Sequence, residues 1–182
     1  MKKLILIFAV YISFLSFLTG QGLQADYYNG IDFQEYVGTS TVSKIDFYWN
    51  EIAPIKGLEP NNCSVLYSGQ LKSPRSGVVT FSARVDDGLL VWIGDELIIS
   101  NWQLNDVGLS EGKIYLEANK NYDIKIKYFN AMREAELELL WKLPDDPKRS
   151  WFSKLWYGDR PVIISSKYFN PPSAKKSDVL KA

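Results

Sequence analysis

Residues 79–93 read VTFSARVDDGLLVWI, and this stretch predicts two β-strands joined by the short segment Asp86-Asp87-Gly88. In residues 79–85, apolar side chains alternate with Thr, Ser and Arg, which is the period of a strand with one buried face. An apolar run follows the glycine. The joining segment has two interpretations. Asp-Gly is a common signal of a hairpin turn, and two adjacent carboxylates at a loop tip can also bind calcium, which prefers oxygen ligands.

The chain beyond residue 20 consists of similar short segments separated by polar turns, and no long stretch has helical spacing. Many short strands with this punctuation predict an all-β fold, an antiparallel β-sandwich or barrel. The predicted strands are Leu23–Tyr28, Ile45–Trp49, Val65–Ser68, Val78–Val85, Leu89–Ile93, Leu97–Ser100, Lys113–Leu116, Tyr122–Phe129 and Glu134–Lys142.

Two hairpins are predicted from turn chemistry and register. The first turns at Gly94-Asp95, where a glycine in the first position of a two-residue turn suits type II′. The second turns at residues 130–133 and pairs residues 122–129 with residues 134–142, so that apolar side chains share one face and opposite charges meet on the other. The predicted cross-strand pairs are Ile126–Leu137, Ile124–Leu139, Lys127–Glu136 and Lys125–Glu138.

Residues 1–20 have the three-part pattern of a secretory signal peptide. Lys2 and Lys3 precede an apolar run from Leu4 to Leu18, and small residues follow it. The run is shorter than the ~20 residues that a spanning helix needs, which favours a cleaved signal peptide. After cleavage, no transmembrane span is expected. A retained anchor is the alternative interpretation. We expect a secreted, periplasmic or cell-surface protein.

The composition excludes several classes of function. The chain has 182 residues and a formal net charge of zero, and without residues 1–20 it keeps 19 basic and 21 acidic residues, so no nucleic-acid partner is expected. It has no histidine, which excludes Ser-His-Asp and Cys-His centres and the usual zinc sites. A single cysteine, Cys63, allows no internal disulfide. A pair of carboxylates is the catalytic option that remains.

The C-terminal part differs from the strand-rich region. Residues 144–171 are predicted to form a short aromatic cap and a closing strand, with Trp151/Leu155 and Phe152/Trp156 spaced as on helical turns. The cap covers a sheet edge in one interpretation. In the other, Trp151 and Trp156 bind a protein partner or a membrane interface. Residues 172–182 are polar and are expected to be a disordered tail.

Several phrases, in order, resemble the domain family named after the fourteen-kilodalton fragment of anthrax protective antigen. The resemblance covers residues 22–143 and extends loosely to residue 171. It is carried by GLQADYYNG (22–30), IDFYW (45–49), YSGQL (67–71), GVVTF (77–81), DDGLLVWI (86–93) with Asn101-Trp102, YFN (128–130) and AELELLW (135–141).

This resemblance implies a jelly-roll-like antiparallel β-sandwich and a candidate calcium site. In sugar-binding members, two consecutive aspartates joined by a cis peptide chelate calcium, a neighbouring loop adds an Asn or Gln side chain, and sugar hydroxyls complete the shell. The matching residues here are Asp86, Asp87 and Asn130. We expect Trp102 and Gln103, just after the signature, to line the ligand site. Arg133 lies in the second loop, where it contacts ligand or replaces the cation by pairing with an aspartate.

Three functions remain at this point. The leading hypothesis is a secreted, non-catalytic, lectin-like module that binds a glycan or glycoprotein through calcium. The alternative is a structural or protein-interaction domain at the cell surface with no bound calcium. A hydrolase acting through carboxylates is the third, and no catalytic constellation stands out to support it.

Overall fold

The architecture was obtained from a computed structural model that describes residues 21–49, 52–133, 135–144 and 160–172. The predicted signal peptide, most of the predicted aromatic cap with Trp151 and Trp156, and nearly all of the predicted tail lie outside these ranges. Glu134 lies outside them too.

Twelve strands and one 3-10 turn make up the regular structure of the described residues. The strands are β1 (Leu23–Asn29), β2 (Glu35–Val42), β3 (Asp46–Trp49), β4 (Cys63–Lys72), β5 (Gly77–Val85), β6 (Gly88–Ile93), β7 (Glu96–Asn101), β8 (Gly108–Leu116), β9 (Asn121–Asn130), β10 (Ala135–Lys142), β11 (Val162–Ile163) and β12 (Phe169–Asn170); the 3-10 turn is Ser166–Tyr168.

These strands form two sheets in which every pairing is antiparallel. The larger sheet has the order β2-β1-β4-β9-β6-β7, with β12 added to β4. The smaller sheet has the order β11-β10-β5-β8, with β3 added to β10. The predicted all-β, antiparallel sandwich is therefore confirmed.

The core lies between the sheets because apolar residues alternate along the central strands. In β5 the buried side chains include Val79, Phe81, Ala83 and Val85, which are fully inaccessible to solvent. Trp141, on the neighbouring strand β10, adds to this face. The largest buried side chains that the other sheet contributes to the core are Tyr27, Tyr67, Tyr128 and Phe169.

The hairpin interpretation of residues 79–93 is wrong. Strand β5 belongs to the smaller sheet and β6 to the larger one, so Asp86-Asp87 crosses from one sheet to the other. A crossing connection needs the same alternation as a hairpin, because in both cases the apolar face must point into the core. The alternation determines which face of a strand is buried, but it does not determine which strand is its hydrogen-bonded neighbour.

The predicted pairing of β9 with β10 is wrong for the same reason. Strand β9 lies between β4 and β6 in the larger sheet, and β10 lies beside β5 in the smaller one. The charges accordingly have other partners: Glu136 pairs with Arg84 at 2.7 Å, whereas Lys125 and Lys127 lie over the rings of Trp92 and Phe33.

The hairpin between β6 and β7 is confirmed. Ile93 pairs with Glu96 across Gly94-Asp95, and Gly94 has φ of 60°, the left-handed value that a type II′ turn requires at this position. The structure also contains β2, which the sequence analysis missed. Among the described strands it pairs with β1 alone, and its side chains are exposed or half-buried, so it lacks the apolar alternation that identifies a strand.

Candidate functional site

Three segments that connect the two sheets meet at one end of the sandwich. They are residues 86–87 after β5, residues 102–107 between β7 and β8, and residues 131–133 after β9. Together they enclose an open cleft of about 670 Å³, whose lining comprises Asp86, Asp87, Leu104, Asn105, Asp106, Val107, Met132 and Arg133.

Asp87 ties these three segments together. Its side chain is buried, with 5% of the residue exposed. One carboxylate oxygen, Oδ1, accepts a hydrogen bond from the Asn105 N–H at 3.3 Å, and Oδ2 accepts one from the Ala131 N–H at 2.7 Å. The Asp87 N–H donates in turn to the Asn105 carbonyl at 3.2 Å. Asp87 has φ of 59°, a conformation that aspartate tolerates better than most residues.

Asn130 ends β9 directly beside this junction, and it is fully buried. Its Nδ2 donates to the Pro60 carbonyl at 2.9 Å, whereas its Oδ1 has no hydrogen-bond partner among the described residues. A buried polar atom without a partner costs about 1–3 kcal/mol. The next residue, Ala131, is bound to Asp87, which places the Asn130 backbone at this corner of the fold, although Asn130 is not among the residues that line the cleft.

Asp86 and Arg133 occupy the walls of the cleft. The Asp86 N–H donates to the Glu136 carbonyl at 3.0 Å, which fixes the start of the crossing segment against β10. Arg133 is exposed and has φ of 69°. The ion pairs found among the described residues are Lys44–Asp46, Arg84–Glu136 and Lys120–Glu117, and none of these three involves Arg133.

The cis peptide that the family resemblance implied between Asp86 and Asp87 is not present. The described ranges contain no cis peptide bond, and the two aspartates are joined by a trans peptide.

The predicted ligand residues Trp102 and Gln103 lie beside the cleft rather than in its lining. Trp102 is 36% exposed and packs edge-on against Phe129, with ring centroids 4.7 Å apart. Gln103 donates to the Asn105 side-chain oxygen at 3.1 Å and so supports the segment that forms one wall. Sequence reasoning missed that wall, residues 104–107, although its Asn-Asp pair is a turn signal between two strands.

The oxygen donors at this corner are of the chemical type that binds calcium. Two carboxylates, Asp86 and Asp87, and the unpartnered oxygen of Asn130 are the hard oxygen ligands that calcium prefers. Asp106 adds a further negative charge to the cleft. No group of three or more Cys, Asp and Glu side chains in the described ranges is placed to hold a metal, so the fit depends on the asparagine.

Two buried groups beneath the site, the Tyr128 hydroxyl and the Cys63 thiol, have raised pKa values and keep their protons near neutral pH. Burial raises the pKa of the Tyr128 hydroxyl well above its usual value, and the Cys63 thiol and the two aspartates add to the shift. Burial likewise raises the pKa of Cys63 to about 12.

The fold and the cleft define a β-sandwich module with an acidic site formed by its loops. The PA14 domain model matches residues 20–151, and the chain belongs to the PA14 domain family. Among the described residues, no helix has the length and apolar character needed to cross a bilayer.

Two relatives and one structural neighbour illustrate the likeness. Anti-sigma-I factor RsgI3 of Acetivibrio thermocellus is 33% identical over 164 residues, which are 86% of this chain and 26% of that protein. A solved anti-sigma factor domain-containing protein from Clostridium clariflavum is 34% identical with a TM-score of 0.71, covering 85% of this chain and 48% of that one. The chain thus spans about half or less of the length of these relatives.

The epithelial adhesin 6 A domain of Candida glabrata, solved with Galβ1-3GlcNAc, shares the fold. Its TM-score is 0.64 at 18% identity, with 87% of this chain and 90% of that chain covered.

Proposed function

We propose that this protein is a non-catalytic carbohydrate-binding module that holds its ligand through a calcium ion. Asp86, Asp87 and Asn130 supply protein oxygens to the ion, and the open side of the cleft admits a glycan. The calcium contributes coordination positions for sugar hydroxyls. The chain's own residues position it: the Asn105 and Ala131 N–H groups hold the Asp87 carboxylate, and Pro60 holds the amide of Asn130.

The observation that carries this proposal is the unpartnered Oδ1 of Asn130. Asparagine is buried there with its amide N–H₂ satisfied and its oxygen without a partner among the described residues, one residue before Ala131, whose N–H binds the buried Asp87 carboxylate. The bond to Pro60 explains the amide N–H₂ group of this side chain, but it does not explain why an oxygen is buried beside it without a partner. A cation supplies the missing partner and also reduces the repulsion between Asp86 and Asp87.

Two arguments support a location of this protein outside the cytoplasm: the nature of its relatives and the predicted signal peptide. The adhesin domain solved with Galβ1-3GlcNAc supports a glycan or glycoprotein as the ligand. The anti-sigma factor relatives add a different context, in which a module of this kind is one part of a longer protein.

Calcium binding is tested by calorimetry at pH 7 on three proteins. The wild type should bind calcium with a dissociation constant of about 10⁻⁴–10⁻³ M, the range of extracellular calcium modules. Asp86→Asn should weaken binding about tenfold or more, because it removes one of two charges. Asp95→Asn, in the exposed β6–β7 turn, is the matched control and should bind like the wild type. If the wild type gives no heat at millimolar calcium, the proposal is wrong.

The competing function is a structural or protein-interaction domain that binds no calcium. The observation that favours it is the Arg133 guanidinium in the cleft, which opposes a cation. In that case a glycan array should give no signal with or without calcium. Alanine substitution of Trp151 and Trp156 should then abolish partner capture, whereas Asp86→Asn should leave it intact.

A further inference from the structure

A row of residues crosses the outer face of the larger sheet next to the cleft. Strand pairing places Tyr36, Tyr28, Ser64, Phe129 and Gly88 side by side on the consecutive strands β2, β1, β4, β9 and β6. Neighbouring strands are about 4.8 Å apart, so the row is about 19 Å long. This length exceeds that of a single sugar ring.

The two small residues of the row leave room for rings above the sheet. Phe129 lies over Gly88, where a Cβ would be 1.9 Å from the Phe129 Cε1 atom. Ser64 Oγ accepts a hydrogen bond from the Phe33 N–H at 3.0 Å and donates to the Gly30 carbonyl at 2.7 Å. Phe33 has φ of 58°. The backbone thus fixes Phe33 on this face, and the surface is formed before any ligand arrives.

The aromatic rings contact one another along the whole row. Trp102 lies edge-on to Phe129 and parallel to Phe33, with an interplanar angle of 11° and centroids 6.1 Å apart. Phe33 then contacts Tyr28 at 5.4 Å, and Tyr28 contacts Tyr36 at 5.5 Å. Tyr36 is 58% exposed and Trp102 is 36% exposed. We define the aromatic row as the five residues whose rings form this series of contacts: Trp102, Phe129, Phe33, Tyr28 and Tyr36.

The aromatic row is continuous with the candidate calcium site. Gly88 directly follows Asp87, and Trp102 begins the segment whose residues 104–107 form one wall of the cleft. A ligand bound in the cleft can therefore extend over the rings without leaving the surface.

The chemistry of the aromatic row suits sugar rings better than an apolar peptide. The next row on the same face combines polar and apolar residues. Asp26 and Thr39 are hydrogen-bonded to each other and Lys127 Nζ lies 5.0 Å from the Phe33 ring centroid, while Leu66 and Leu90 flank Lys127. Ring faces bordered by hydrogen-bonding groups match a sugar, which has apolar C–H faces and polar edges.

We infer that the ligand is an extended glycan chain, with one sugar at the calcium ion and the following sugars stacked along the aromatic row. This inference rests on the proposed carbohydrate-binding function and adds the length of the ligand. It assigns Tyr36, Tyr28 and Phe33 to subsites beyond the cleft.

The test is a comparison of ligand length on an array of gluco-, galacto-, manno- and xylo-oligosaccharides, each present from the monosaccharide to the hexasaccharide, with calcium in the buffer. Wild-type affinity should rise about tenfold or more with length. Tyr36→Ala should remove a large part of that rise and leave monosaccharide and calcium binding unchanged. Trp102→Ala should weaken every chain longer than one sugar. Tyr115→Ala is the matched control, because Tyr115 is 61% exposed on β8 of the other sheet.

The outcomes separate the two claims. Binding that is independent of length, or Tyr36→Ala and Tyr115→Ala behaving alike, overturns the extended-chain inference and leaves the proposed function standing. If no sugar of any length binds in a calcium-dependent way, both the extended-chain inference and the proposed function are overturned. Thermal unfolding of each variant shows whether a lost signal reflects a lost fold, and Tyr36→Phe then tests the ring without truncating it.

Discussion

Replacement of Asp87 by alanine should destabilise the protein even when no calcium is present. The substitution removes both carboxylate oxygens and leaves the Asn105 and Ala131 N–H groups without their acceptor. Alanine must also adopt φ of 59°, which aspartate accepts more readily.

The magnitude follows from these contacts. A hydrogen bond to a charged group contributes about 1.5–3 kcal/mol. The 2.7 Å bond from Ala131 lies at the strong end of that range, and the 3.3 Å bond from Asn105 lies below it. With about 1 kcal/mol for the left-handed backbone, the free energy of unfolding should fall by about 4 kcal/mol.

Urea unfolding in the presence of a chelator measures this quantity, because it separates the hydrogen bonds of Asp87 from any effect of a cation. The midpoint should fall while the slope of the transition stays the same. Asp95→Ala, in the exposed β6–β7 turn, is the control and should cost less than about 0.5 kcal/mol. A loss of less than about 1 kcal/mol for Asp87→Ala would refute the assignment of Asp87 as the residue that ties the three segments together.

Three further outcomes are expected. Gly88→Ala should cost about 1–3 kcal/mol in urea unfolding, because its Cβ would overlap the Phe129 ring, whereas Gly108→Ala, whose Cβ has no atom nearer than 3.7 Å, should be close to neutral. The pKa of Cys63 is raised to about 12, so the folded chain keeps this proton while the unfolded chain loses it above about pH 8.5. Stability should therefore fall as pH rises through this window, and Cys63→Ala should reduce that slope by on the order of 1 kcal/mol per pH unit in urea unfolding at each pH. Arg133→Ala should raise calcium affinity about threefold to tenfold by calorimetry, since it removes a positive charge from the cleft; an unchanged affinity would mean that the guanidinium does not act on the ion.

Alternation along the strands was sufficient to predict the fold class and the buried faces. Residues 79–85 gave the inner face of β5 correctly, and the Gly94-Asp95 turn gave the β6–β7 pairing. Partner strands could not be predicted in the same way, because a crossing between sheets and a hairpin bury the same face. The pairing of β9 with β10 failed for this reason, and opposite charges in a favourable register did not prevent the failure.

The candidate site was partly readable from the sequence. Asp86, Asp87 and Asn130 were predicted as one group through the family resemblance. The two aspartates line the cleft, and Asn130 immediately precedes Ala131, whose N–H binds Asp87. The wall formed by residues 104–107 could not be placed, because its position depends on β7 and β8 belonging to different sheets. The aromatic row depends on strand order as well, since residues 28–36, residue 102 and residue 129 are far apart in the chain.

Asp87 and Asn130 lie where the chain passes from one sheet to the other, and this location has a mechanical consequence. An ion bound there would link the two sheets at this end of the sandwich. Its removal by a chelator would therefore loosen that end as well as release the ligand. Proteases outside a cell cut backbone that opens transiently. A calcium-loaded molecule should therefore survive digestion longer than a stripped one, with the first cleavage within residues 102–107.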